Sequence, residues 1–97
     1  MNDAELARLR PTDGARYLLE LDTASEDAAR YRAWILTPTA SFPYTADLAA
    51  AAEPTLTALD APAPDDLLAR LTMFARLLAR SAPPWPSRHL RWRGTRT

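Results

Sequence analysis

From Pro64 to Pro83 apolar side chains recur every three or four positions. Leu67, Leu68, Leu71, Phe74, Ala75 and Leu78 fall on one face at helical spacing, with Arg76 and Arg80 opposite. The run predicts an amphipathic helix over about residues 65–81. Asp65 and Asp66 sit at the positive end of its dipole, Arg76 and Arg80 near the negative end, and Pro83 and Pro84 stop it. Met73 and Leu77 widen the apolar face beyond what one sheet contact needs. They suit cover for a neighbouring loop, a short N-terminal helix or a second copy of the chain.

Upstream the period shortens to two. In ARYLLELD, after Gly14, Tyr17, Leu19 and Leu21 alternate with Arg16, Leu18, Glu20 and Asp22. In ARYRAWILT, Tyr31, Ala33 and Ile35 alternate with Arg30, Arg32, Trp34 and Leu36. These are half-buried strands, and the polar link TASED makes them an antiparallel hairpin. A register with Asp22 opposite Arg30 also sets Glu20 opposite Arg32 and Leu18 opposite Trp34, so both faces pair sensibly.

The segment after Pro38 admits two readings. Phe42–Thr45 and Thr55–Leu59 fit a third and a fourth strand of a meander, with Pro43 confined to a sheet edge or to the start of its strand. Thr45 is equally placed to cap a short helix over Ala46–Glu53, which Pro54 would end. At the N-terminus, Asn2 and Glu5 form a capping-box pattern for a helix over residues 3–10 that Pro11 terminates. With only Leu6 and Leu9 on its inner face, that helix must dock on something larger.

Beyond Pro86 alternation returns. Arg88, Leu90 and Trp92 share one side, and Ser87, His89, Arg91 and Arg93 the other. A last strand fits, with Leu90 and Trp92 turned to the core, His89 exposed, and residues 94–97 a frayed tail. The expectation is one α+β domain over residues 1–97: an antiparallel sheet of three to five strands, a long helix on one face and a short N-terminal helix.

Composition adjusts this picture in two ways. Twenty of the residues are alanine, valine is absent and Ile35 is the one isoleucine, so fifteen leucines and eight aromatics must supply the core. All twelve cationic side chains are arginine, a bias that fits either a GC-rich coding sequence or recognition by planar guanidinium groups. Charge is laid out unevenly. Residues 1–66 hold all twelve acids and five arginines, a balance of −7, whereas residues 67–97 hold seven arginines and no acid, a balance of +7. That polarity suggests a basic interaction segment, or two halves of the chain that attract one another. The opening MNDAELARLR has neither a secretory nor a transit pattern and no run reaches membrane-span length, so a cytoplasmic setting without membrane contact is the default.

Candidate chemistry is sparse. Gly14 and Gly94 are the only glycines, which excludes glycine-rich phosphate loops. One histidine and no cysteine exclude the usual zinc ligand sets and every disulfide. Glu20 with Asp22, and Asp65 with Asp66, are carboxylate pairs better explained by cross-strand arginines and by helix capping than by a metal. Ser87 and His89 fall two apart on an extended strand, about 7 Å between side chains and beyond proton-transfer reach. No catalytic residue, cofactor or metal is therefore expected, and the sequence points to a non-enzymatic interaction module. Its contact residues are Trp85, Arg88, His89, Arg91, Arg93 and Arg96, with Met73 and Leu77 for a second copy. A protein partner or self-association is the first reading; single-stranded nucleic acid, gripped by the same arginines with tryptophan stacking, is the alternative. Burial of Trp92 would separate a structural strand from a stacking platform.

Overall fold

The computed structural model of the chain describes residues 3–50, 52–81 and 84–93. Its elements are α1 (Asp3–Leu9), β1 (Ala15–Ala24), β2 (Ala28–Leu36), β3 (Ser41–Ala49), β4 (Thr55–Ala58), α2 (Asp65–Ser81) and β5 (Arg88–Arg93). The strands form one antiparallel sheet in the order β4-β3-β2-β1-β5, so the fold is α+β. β1 to β4 run as a meander. The chain leaves the β4 edge, and α2 carries it back across the sheet to set β5 beside β1.

Period-two spacing lines one face with Tyr17 and Leu19, Tyr31, Ala33 and Ile35, and Tyr44, Ala46 and Leu48. Onto it α2 lays Leu71, Phe74, Ala75, Leu78 and Ala79. Alanines on both layers let the helix approach closely, and the three buried tyrosines fill the remaining volume. A buried phenol needs a partner for its hydroxyl. The hydroxyl of Tyr44 accepts from the Ala63 N–H at 2.8 Å. That of Tyr31 donates to the Pro86 carbonyl at 2.5 Å. These two bonds fix the segment that enters α2 and the one that leaves it. The first helical bonds run from Leu67 and Leu68 N–H to the Pro64 carbonyl at 3.0 Å, so Asp65 and Asp66 act as first-turn charges and not as caps.

The opposite face carries a second small core. Leu6 of α1 is buried with Leu18, Trp34 and Leu36, and Leu9 and Leu90 pack at its margin. This is the larger body on which the short helix docks. Arg16 Nη1 donates to the Leu9 carbonyl at 3.0 Å, satisfying an acceptor that the end of α1 leaves open. Gly14, at φ 71°, makes the turn into β1 in a region where a side chain would clash.

The open segment resolves to a strand, and one expected pairing requires correction. Residues 46–49, left open between helix and β connection, belong to β3, which runs to Ala49 with Ala46 and Leu48 in the main core. Burial against α2 overrides the helical preference of the alanines. Pro43 sits inside β3 although that strand lies between β2 and β4. Its carbonyl accepts from Leu59 N–H at 3.0 Å, on the β4 side, and the missing N–H would have faced the same way. The β3–β4 register begins only at Tyr44, opposite Ala58, so the proline forfeits a bond only at the end of that ladder. In the first hairpin, Leu18 pairs with Trp34 and Glu20 with Arg32 as expected, but a bulge between Leu21 and Thr23 puts Thr23, not Asp22, opposite Arg30. Arg30 turns to β3 instead and bonds Asp47 at 2.7 Å.

One ion pair among the described residues joins the acidic and basic parts of the chain. Arg76 of α2 holds Glu53 through two bonds, of 2.9 and 2.8 Å. The guanidinium keeps the Glu53 carboxyl below the ordinary carboxylate range.

Candidate functional site

Strand β5 forms one edge of the sheet, and its register on β1 decides which way every tail residue faces. His89 lies opposite Leu19 and Arg91 opposite Tyr17, so both are on the α2 side. Arg88 lies opposite Glu20, Leu90 opposite Leu18 and Trp92 opposite Arg16, on the other side. The alternation read from the sequence is correct, and Leu90 does turn to a core, but the expectations of a buried Trp92 and an exposed His89 are not met. His89 is half-buried, with its ring 6.0 Å from that of Phe74. Leu90 joins the second core, and Trp92 is 48% exposed. The Trp92 indole N–H donates to the Asp13 carbonyl at 3.0 Å, so one rim of the ring is tied to the loop before β1 while the rest meets solvent.

The backbone of β5 follows from the same ladder. Leu21 N–H donates to the Ser87 carbonyl at 2.9 Å. Bonded and non-bonded pairs alternate in an antiparallel ladder, so His89 and Arg91 direct their backbone groups to β1. Arg88, Leu90 and Trp92 direct theirs to the open edge. The Leu90 carbonyl is engaged there by its neighbour: Arg91 Nη1 donates to it at 3.0 Å. An exposed edge invites pairing with other chains, and a cation folded over it discourages that.

Between β5 and the C-terminal half of α2 runs a groove of about 380 Å³, lined by Phe74, Leu77, Leu78, Ser81, Pro86, His89 and Arg91. Phe74, Leu77, Leu78 and Pro86 give it apolar walls, and Ser81, His89 and Arg91 a polar share of comparable extent; Arg91 is exposed, and Leu77 is 47% exposed. Burial, and then the Arg91 charge, hold the pKa of His89 below the ordinary histidine value. Its Nε2 is buried with no hydrogen-bond partner, so a proton there would be unsolvated. Below about pH 6.5 the unfolded chain takes up this proton more readily than the folded one. The stability contribution is present above that value and falls as pH drops towards the folded pKa. The urea midpoint should therefore decrease between about pH 7 and pH 5.5, and decrease less in His89→Gln. Equal pH dependence in both proteins would show that His89 is not sheltered.

The remaining expected contact residues divide. Trp85 packs against the main core, its ring 6.5 Å from that of Tyr31 and its indole N–H buried without an acceptor, so it belongs to the fold more than to the surface. Met73 is likewise partly buried on that core, which leaves Leu77 as the exposed apolar residue of the pair. Arg93 is the last residue of β5, and Arg96, with the expected frayed tail over 94–97, lies outside the described residues. Leu77, His89 and Arg91, all expected contacts, line the groove, whereas its walls Phe74, Leu78 and Pro86 carry no contact expectation in the sequence.

Other features are less convergent. A depression of about 610 Å³ at the tip of the first hairpin is lined by Ser25, Arg30, Asp47 and Glu53, but Arg30 and Asp47 satisfy each other there and Glu53 is held by Arg76. Ser87 opens into a different depression, with Glu20, Asp22 and Arg32, from the groove that His89 lines. No group of three or more metal-ligating side chains gathers among the described residues. No helix among them is long and apolar enough to cross a membrane. Compared with protein families, curated proteins and solved structures, the chain gives no match.

Proposed function

We propose that the chain is a small non-enzymatic binding module that docks another protein through the basic edge strand β5, with Arg88 and Arg91 as its cationic contacts. The observation that carries this reading is an open strand edge bearing exposed arginines, Arg88 and Arg91, that no carboxylate among the described residues engages. Arg91 has no ion pair among the described residues and spends a bond on the neighbouring carbonyl. Arg88 stands across from Glu20 without an ion pair. Among the described residues, Arg76 and, more weakly, Arg80 are answered by Glu53 of the acidic part, which leaves the charge of β5 for a second molecule. Self-association through two β5 edges would set arginine against arginine, which is unfavourable, so an acidic partner fits better than a second copy.

The test is fluorescence anisotropy with a short labelled peptide of glutamates around one central leucine. Its lysine counterpart and a mixed single-stranded oligonucleotide serve as comparators. Binding of the acidic peptide alone, weakening from about 50 to about 200 mM salt, supports the reading. Binding of the oligonucleotide with quenching of Trp92, and none of the peptide, overturns it in favour of nucleic acid. Failure of every probe to bind overturns it as well.

A further inference from the structure

We infer that the acidic partner segment adds to β5 as a sixth strand and drops one apolar side chain into the groove between β5 and α2. This rests on the protein-docking reading and specifies how the same edge recognises its partner. Three facts converge on it. The backbone groups of Arg88, Leu90 and Trp92 face the open edge and can pair with an extended chain, the usual source of affinity in strand addition. A strand laid about 4.8 Å from β5 places side chains alternately on its two faces. Those beside His89 and Arg91 fall on the α2 side, where Phe74, Leu78, Pro86 and the half-exposed Leu77 line the groove.

Arg91 supplies the selectivity. Its guanidinium occupies the Leu90 carbonyl, one of the acceptors an added strand needs. A neutral strand offers nothing to draw it away. A carboxylate on the incoming strand forms a charge-assisted bond with the guanidinium, stronger than the neutral carbonyl bond it replaces, and frees Leu90 for the ladder. The edge thus stays closed to other copies of this chain, whose β5 is basic, and opens to an extended acidic segment carrying one large apolar residue.

The experiment is an N-methyl scan of the acidic, leucine-centred peptide against the full chain, which alters the peptide and leaves the protein untouched. Strand addition predicts alternation. Methylation at amides facing β5 weakens binding about tenfold or more, and methylation at the intervening amides changes it little. Leu77→Gln, an exposed and uncharged substitution, should reduce the leucine-centred peptide to the affinity of an alanine-centred one and leave the latter unchanged. Salt-dependent binding with no alternation overturns strand addition while the docking reading stands. Alternation with no effect of Leu77→Gln overturns the groove assignment, and absence of binding by the unmodified peptide overturns both.

Discussion

Phe74→Ala is expected to destabilise the fold by about 3–5 kcal/mol, the range for emptying a buried aromatic site. The ring is buried at the meeting of three elements. It lies 5.2 Å from the Tyr17 ring on β1, at an interplanar angle of 52°, and 6.0 Å from the His89 ring on β5. Removing it leaves a hollow under the centre of α2, where the ring packs against Tyr17 and His89. Against a total of about 5–15 kcal/mol for a domain this is a large share. β5 pairs on one side only, so it should detach first, and binding of the acidic peptide should weaken together with the urea midpoint. Phe74→Leu should fall between the two. A loss below about 1 kcal/mol in Phe74→Ala, with an unchanged denaturant slope, would show that α2 does not seat on β1 and β5 as described.

Charge reversal at the edge is expected to have the opposite signature, a large effect on binding and a small one on stability. Arg88 and Arg91 are exposed, and neither forms an ion pair among the described residues, so Arg88→Glu with Arg91→Glu removes no ion pair of the fold. Single exposed pairs contribute about 0–1 kcal/mol each. Reversal replaces two attractions by two repulsions, which together correspond to a ten- to hundredfold loss, roughly 1.4–2.8 kcal/mol. The loss should appear at low salt and shrink at high salt, because solvent ions screen exposed charges. Titration by anisotropy, with thermal unfolding of the same double variant, checks both halves. Equal affinity of native and reversed proteins for the acidic peptide would remove the arginines from the interface.

The elements that declared themselves in the sequence are those whose pattern is local. The bounds of α2 follow from apolar spacing between prolines, and the β1–β2 register from matching charges and bulky side chains on both strands. The tail was misassigned for a physical reason. Leu90 and Trp92 are apolar and look inward, but a two-sided sheet has two insides, and Leu90 fills the smaller one beneath α1. His89 reaches the larger core only because β5 pairs with β1 in a register that sets it opposite Leu19. That register depends on where α2 delivers the chain, which no local pattern records. The alanine run after Thr45 misleads in the same way: its helical preference is weak beside the burial of Ala46 and Leu48 in an interior strand. Of the site, the arginines were legible and the groove was not, since its walls come from α2 and from the segment that Tyr31 pins at Pro86.

The central claim is that β5 is the recognition edge, and amide hydrogen exchange with and without the acidic peptide addresses it directly. The account predicts that bound peptide slows exchange at Arg88, Leu90 and Trp92, whose N–H groups face the open edge, with shifts spreading to Phe74, Leu77 and Leu78 along the groove. His89 and Arg91 amides, already bonded to β1, should change little. Protection centred instead on Arg30, Asp47 and the tip of the first hairpin, or on Arg32 and Trp34 across the opposite face, would contradict it.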